Sequence, residues 1–169
     1  MAMRVGIRGF TLTELLVVLA VLLVLMGILL PVLARSRAEA RRTACKAQLS
    51  QLAKAANLYA DEHGQRYPVL AVRPSIDPGA SLSDTLLEYV RDRRVFQCPE
   101  DRRGLYEKEG ASYEWNVILN GETPGTFVEQ LVGASRTPML YDYENFHPDP
   151  GAGGWGGKNV VFCDGSVAH

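Results

Sequence analysis

The sequence predicts an α+β protein, a long N-terminal α-helix packed on a small antiparallel β-sheet. Three observations carry that expectation. Residues 15–34 contain no charged side chain and are rich in Leu and Val. Beyond them, Cys45, Leu49, Leu52, Ala56 and Tyr59 recur at spacings of four, three, four and three, one apolar stripe on a continuing helix. Farther on, short apolar or alternating runs bounded by Asn, Asp and Gly replace the helical period.

The first run is long enough to cross a hydrocarbon layer about 30 Å thick, and longer than the apolar part of an ordinary secretory signal, about 7–15 residues. Near its start sits Glu14. An ionised carboxylate toward a membrane interior costs about 2.5–3.5 kcal/mol on insertion scales, so it normally has a partner. The alternative is that Glu14 lies solvated among the headgroups. Gly27 and Pro31 fall inside the run, and the missing amide hydrogen of proline predicts a bend there.

Past the span, Arg42, Lys46, Gln48 and Lys54 take the face opposite the apolar stripe, and His63-Gly64 supplies a stop. Residues 66–79 contain Pro68, Pro74 and Pro78 and read as a loop. Ser81, with Asp84 three positions on, opens a short helix running to Val90. In residues 112–119, Tyr113, Trp115, Val117 and Leu119 alternate as in a strand that Asn120-Gly121 closes. Thr126 and Glu129 form a capping pair before a helix that Gly133 ends. Residues 137–143 and 159–163 are further strands, and Asp164-Gly165 suits a tight hairpin. The glycine-rich residues 151–157 form a loop around Trp155.

The chain therefore divides into a leader at 1–9, a transmembrane helix at 10–34, an amphipathic helix at 35–63 and a globular α+β head at 64–169. The head carries ten basic and fifteen acidic residues. No basic stripe with interleaved aromatics appears in it, which disfavours nucleic acid as a partner. Arginines flank both sides of the span, Arg4 and Arg8 before it and Arg35, Arg37, Arg41 and Arg42 after it. Their count alone leans toward a cytoplasmic head.

Arg4, Arg8, Gly9 and the run Phe10-Thr11-Leu12-Thr13-Glu14-Leu15-Leu16 resemble the signal of type IV prepilins and type II secretion pseudopilins. The resemblance implies cleavage between Gly9 and Phe10 by a prepilin peptidase and methylation of the new amino terminus. Glu14 then becomes the fifth mature residue, and Pro31 falls at the position where pilins commonly carry proline. It also implies that the leader stays cytoplasmic and the head lies outside the inner membrane, reversing the orientation read from the arginines. The head resembles a branch of pseudopilin-like proteins through Arg41-Arg42-Thr43-Ala44-Cys45, Tyr67-Pro68, Cys98-Pro99-Glu100-Asp101, Ser112-Tyr113 with Asn116, and Asn159 to Val167. That branch places a histidine about nine residues before Asp-Gly; here sixteen residues lie between His147 and Asp164, which leaves its role open.

The function this implies is structural: a pseudopilus or pilus subunit that packs with copies of itself or other pilin-like subunits, inserted in lipid and delivered by an inner-membrane assembly platform. Glu14 would pair with the Phe10 ammonium of a neighbour. The competing reading is a monomeric membrane-tethered module that holds a ligand at Trp155. A hydrolase is disfavoured, because His147, Asp164 and Ser166 lack a nucleophile-elbow motif.

Three cysteines permit at most one intrachain disulfide. Cys98 and Cys163 sit at ends of sheet elements and are the candidate pair, with free thiols as the alternative, while Cys45 on the helix stripe suits a small buried hydrophobe. Zinc is not expected, since His63, His147 and His169 have no ligand at the usual spacing. No organic cofactor is expected. Some major pseudopilins hold calcium in a C-terminal loop, and Asp142, Glu144, Asp149 and Asp164 offer hard oxygen ligands there; solvated turn carboxylates are the alternative.

Overall fold

The computed structural model describes residues 11–147 and 155–168, without the Phe127 side chain. Helix α1 spans Leu12–Glu62 and stays helical through Gly27 and Pro31. It is followed by α2 (Leu82–Val90), α3 (Leu105–Glu109), β1 (Tyr113–Trp115), α4 (Phe127–Val132), β2 (Pro138–Asp142), β3 (Val160–Phe162) and β4 (Val167–Ala168). The chain divides into two compact units, one ending at Glu39 and the other beginning at Ala40.

In the first unit every residue from 11 to 37 is exposed. By length and composition this is the one helix among the described residues fit to cross a membrane. A helix apolar on all sides and covered on none is suited to lipid or to other helices.

The second unit is the α+β head. Its sheet is a four-stranded antiparallel meander in the order β1-β2-β3-β4. Tyr113 lies opposite Asp142, Trp115 opposite Leu140, Leu140 opposite Val161 and Val161 opposite Val167, so these side chains share one face. Apart from Asp142, they pack into one cluster with Cys45, Leu49, Leu52, Ala53, Ala55, Ala56 and Ala60 of α1. Small residues at four of those seven positions let the helix approach the sheet closely. Leu49, Leu52, Leu86, Leu119 and Leu140 are fully buried, and each contributes about 1.5–3 kcal/mol relative to exposure. The stripe read from the sequence is thus the buried face, with Tyr59 at its edge, half-buried and stacked on His63.

Local signals end the elements where the sequence places them. Ser81 accepts from the Asp84 amide at the start of α2, and Thr126 accepts from that of Glu129 at the start of α4. Gly64 has φ +66°, just past α1, and Gly165 has φ +84° in the β3–β4 turn, a region open to glycine without steric cost.

Three details depart from the expectation. The strand expected over 112–119 stops at Trp115, and Val117–Leu119 is a 3-10 turn. Asn116 causes this: its side chain accepts from the Ile118 amide and donates to the Pro138 carbonyl. Val117 consequently faces out while Leu119 is buried. Helix α3 was not expected; it starts because the Asp101 carboxylate accepts from the amides of Leu105 and Tyr106. Gln48, assigned to the outer face of α1, instead bridges to the head, donating to the Arg94 carbonyl and accepting from the Tyr113 hydroxyl at 2.6 Å.

Candidate functional site

Two constellations carry chemistry, one in each unit. The first is the start of α1. The Thr11 amide donates to Glu14 Oε2 at 2.9 Å and the Thr11 hydroxyl donates to the same oxygen at 2.7 Å. The Glu14 amide donates back to Thr11 Oγ1 at 3.2 Å. This is a reciprocal capping box, in which each end residue satisfies a helix-end amide of the other. The Thr-x-x-Glu spacing of Thr11-Leu12-Thr13-Glu14 is the sequence signal for it. Gly9 and Phe10, the expected processing pair, lie outside the described residues, as does the whole leader.

The second constellation lies beneath α1 in the head. Cys45 and Cys98 form a disulfide with their Cα atoms 5.4 Å apart. This corrects the expected Cys98–Cys163 pair, and the meander register explains why. Phe162, next to Cys163, lies opposite Pro138 at the first end of β2. Cys98 lies near the other end, since His147 Nε2 is 3.8 Å from Cys98 Sγ and 3.5 Å from Asp142 Oδ2. Pro138 and Asp142 are four residue steps apart on the strand, about 13 Å at ~3.3 Å per step. A disulfide needs Cα atoms within about 7 Å. Cys163 remains a free, half-buried thiol. Burial, followed by the charge of Glu129, pushes it up to about 12, which makes it a poor nucleophile.

Cys98 is held by the turn Cys98-Pro99-Glu100-Asp101, closed by the Asp101 amide on the Cys98 carbonyl. Glu100 bonds Arg41 of α1 and, at 3.0 Å, Arg102. Asp142 ends β2 on the sheet face turned toward α1. It is fully buried, and its Oδ2 accepts from the Asn159 amide at 2.7 Å and the Asn159 side chain at 2.9 Å. Burial raises its pKa to about 7, against the pull of those hydrogen bonds and of Lys158. Its second oxygen, Oδ1, is buried with no hydrogen-bond partner.

His147 reaches the same place from the segment after β2. Its amide donates to the Gly157 carbonyl at 3.2 Å. Gly157 has φ +82°, and a Cβ there would collide with the His147 carbonyl oxygen, so glycine is what lets the two segments close. The longer spacing from His147 to Asp164 therefore does not displace the imidazole from the head interior, where it is 5% exposed.

One ring nitrogen, Nε2, faces both the sulfur and the carboxylate. A base-and-orienter relay of the triad type uses the two different nitrogens of the ring. The arrangement is instead convergent: the ligand atoms of Cys45, Cys98 and His147 all lie within 4.8 Å of one another. No cysteine stands at local ligand spacing from His147 in the sequence; the fold instead brings Cys98 to it across 49 residues, and Cys45 to Cys98 across 53.

The other candidates are scattered. Asp164 Oδ1 accepts from the Ser166 amide and hydroxyl within its own exposed turn, so Ser166 and Asp164 are engaged with each other while His147 faces Cys98. Of the expected calcium ligands, Asp142 is engaged by Asn159, Glu144 accepts from Arg103 at 2.8 Å, and Asp149 lies outside the described residues. Trp155 is exposed, with its ring edge-on to Phe162 at 6.2 Å between centroids; most of the glycine loop beside it is outside the described residues.

Residues 5–30 match the prokaryotic N-terminal methylation motif. No curated protein and no solved structure matches the chain. The matched stretch joins the leader to the apolar part of α1 and ends before the head. The match is consistent with a prepilin-type N-terminus on a helix apolar enough for a membrane, and the head behind it is pilin-like in architecture, a long helix laid on a small antiparallel sheet.

Proposed function

We propose that this chain is a structural subunit of a pilus-like filament, a type II secretion pseudopilus or a type IV pilus. Prepilin peptidase cuts it between Gly9 and Phe10, the new terminus is methylated, and an inner-membrane platform packs the helices side by side. The observation that carries this reading is the methylation motif running directly into an apolar helix exposed on every side. Such a helix stays in lipid as a monomer and finds helical neighbours in an assembly. The Glu14 carboxylate would pair with the Phe10 ammonium of an adjacent subunit, which offsets the cost of holding it among apolar side chains.

The head would lie outside the inner membrane, and the Cys45–Cys98 disulfide supports that side, because disulfides persist in oxidising compartments. A second reading has one observation in its favour. Thr11 already satisfies Glu14 within the chain, so a monomeric tether also has a use for this carboxylate. Mass spectrometry of the mature protein, with cysteine crosslinking between neighbouring anchor helices, separates them. A chain beginning at N-methylated Phe10 that crosslinks along a ladder is the expected result. A chain keeping Met1 and giving monomers overturns the filament reading.

A further inference from the structure

We propose that Cys45, Cys98, His147 and Asp142 form a site for one zinc-like divalent metal ion, open when the cysteines are reduced and closed when they are joined as the disulfide.

A structural disulfide in an apolar core needs no polar neighbours. This one has two. His147, with its side chain 1% exposed, is brought to the sulfur of Cys98 beneath α1, and Asp142, at 0%, is brought to the same ring nitrogen of His147. Burying an imidazole and a carboxylate costs free energy unless they are well bonded, and Asp142 Oδ1 has no hydrogen-bond partner. The spacing fits a metal. Tetrahedral zinc holds sulfur at about 2.3 Å and nitrogen or oxygen at about 2.0–2.2 Å, which places neighbouring ligand atoms roughly 3.3–3.8 Å apart. His147 Nε2 lies 3.8 Å from Cys98 Sγ and 3.5 Å from Asp142 Oδ2. Once the bond between them is broken the two sulfurs must separate by rotation of their side chains, and the Asp142 carboxylate must close on them beside His147.

Three stretches well separated in sequence, around residues 45, 98 and 142–147, deliver these groups. Cys45 rides on α1, Cys98 on a turn tied to α1 through Glu100 and Arg41, Asp142 on the end of β2, and His147 on a segment clasped by Gly157. Two thiolates and an imidazole select zinc-type ions over calcium or magnesium. The chemistry balances with a dithiol as reductant: its two thiols become its own disulfide, the Cys45–Cys98 bond breaks, and two protein thiols form. Metal binding then displaces the two thiol protons. A newly made chain, whose cysteines are not yet oxidised, reaches the same dithiol state without a reductant and would load metal as the head folds.

The test uses the untagged full chain in detergent, reduced with a phosphine, freed of it without oxygen, and titrated with cobalt(II). One cobalt per chain should bind, with the thiolate charge-transfer absorption and intense ligand-field bands of a tetrahedral site, and zinc should displace it. The oxidised chain, measured in parallel, should stay colourless. His147→Ala and His147→Gln, checked for native near-ultraviolet circular dichroism in the oxidised form, should weaken cobalt binding at least about tenfold and alter the ligand-field bands. A reduced chain that gives no thiolate absorption overturns the proposal. So does an oxidised chain that binds equally well, or a folded His147 variant with unchanged spectrum and affinity.

Discussion

The guanidinium of Arg41, one turn before Cys45 on α1, is bonded to the Glu100 carboxylate two residues after Cys98. The ion pair and the disulfide are parallel ties between the same helix and the same turn. Glu100 is 9% exposed, while Arg41 is 37% exposed in its side chain and Arg102, the second partner, 81%. Burial raises the Glu100 pKa, but the hydrogen bond and charge of Arg41, then the charge and hydrogen bond of Arg102, win and hold it below the usual carboxylate range. The Arg41 contact therefore lies between the surface and buried limits for ion pairs. We expect Glu100→Gln to cost about 1–2 kcal/mol and Arg102→Ala less than about 0.5 kcal/mol. Denaturant unfolding of the two variants checks the ranking, and equal costs would contradict it.

Asp101 offers the clearest pH dependence. Burial raises its pKa, yet the Ser112 hydroxyl at 2.7 Å and the amides of Tyr106, Leu105 and Arg103 together bring it below its ordinary value. Its folded pKa is thus lower than its unfolded one. The stability it contributes is complete above the unfolded value of about 3.9 and is lost as pH falls through the folded value. Asp101→Asn should lower Tm at pH 7, and the gap to the parent protein should close as pH falls below the unfolded value of about 3.9 and through the lower folded one. A gap of the same size at both ends of a pH series of melting curves would contradict this assignment.

The disulfide joins residues 53 positions apart. Closing a loop of that length removes about 4 kcal/mol of denatured-state entropy in the chain-entropy picture. Replacing both cysteines with alanine should therefore destabilise the head by about 2–4 kcal/mol, while Cys163→Ala, which breaks no cross-link, should cost far less. Guanidinium unfolding of the full chain in detergent compares them. A Cys163 variant as unstable as the double variant would restore the Cys98–Cys163 pairing.

How far the sequence could be read followed from how local each signal was. The stripe from Cys45 to Ala56, the caps at Ser81 and Thr126, and the Asp164-Gly165 turn are set by neighbours a few residues away, and the structure places them as the spacing predicts. The strand expected through Leu119 ended early because Asn116 reaches Pro138, a contact 22 residues distant. The disulfide partner of Cys98 was missed for the same reason. Choosing between Cys45 and Cys163 requires knowing which end of β2 faces α1, and the meander register settles that. His147 beside Cys98 and Asp142 depends on Gly157 closing against it, a packing fact that no spacing rule contains.

In the proposed filament Glu14 acts through its charge, between subunits, rather than through its hydrogen bonds within one. Glu14→Gln separates the two roles, because glutamine can still complete the capping box with Thr11 but cannot pair with an ammonium. Crosslinking between neighbouring anchor helices in cells expressing this variant is the direct measurement. The variant should be inserted and cut after Gly9 yet give no ladder. A Glu14→Gln ladder as long as that of the parent chain would contradict it.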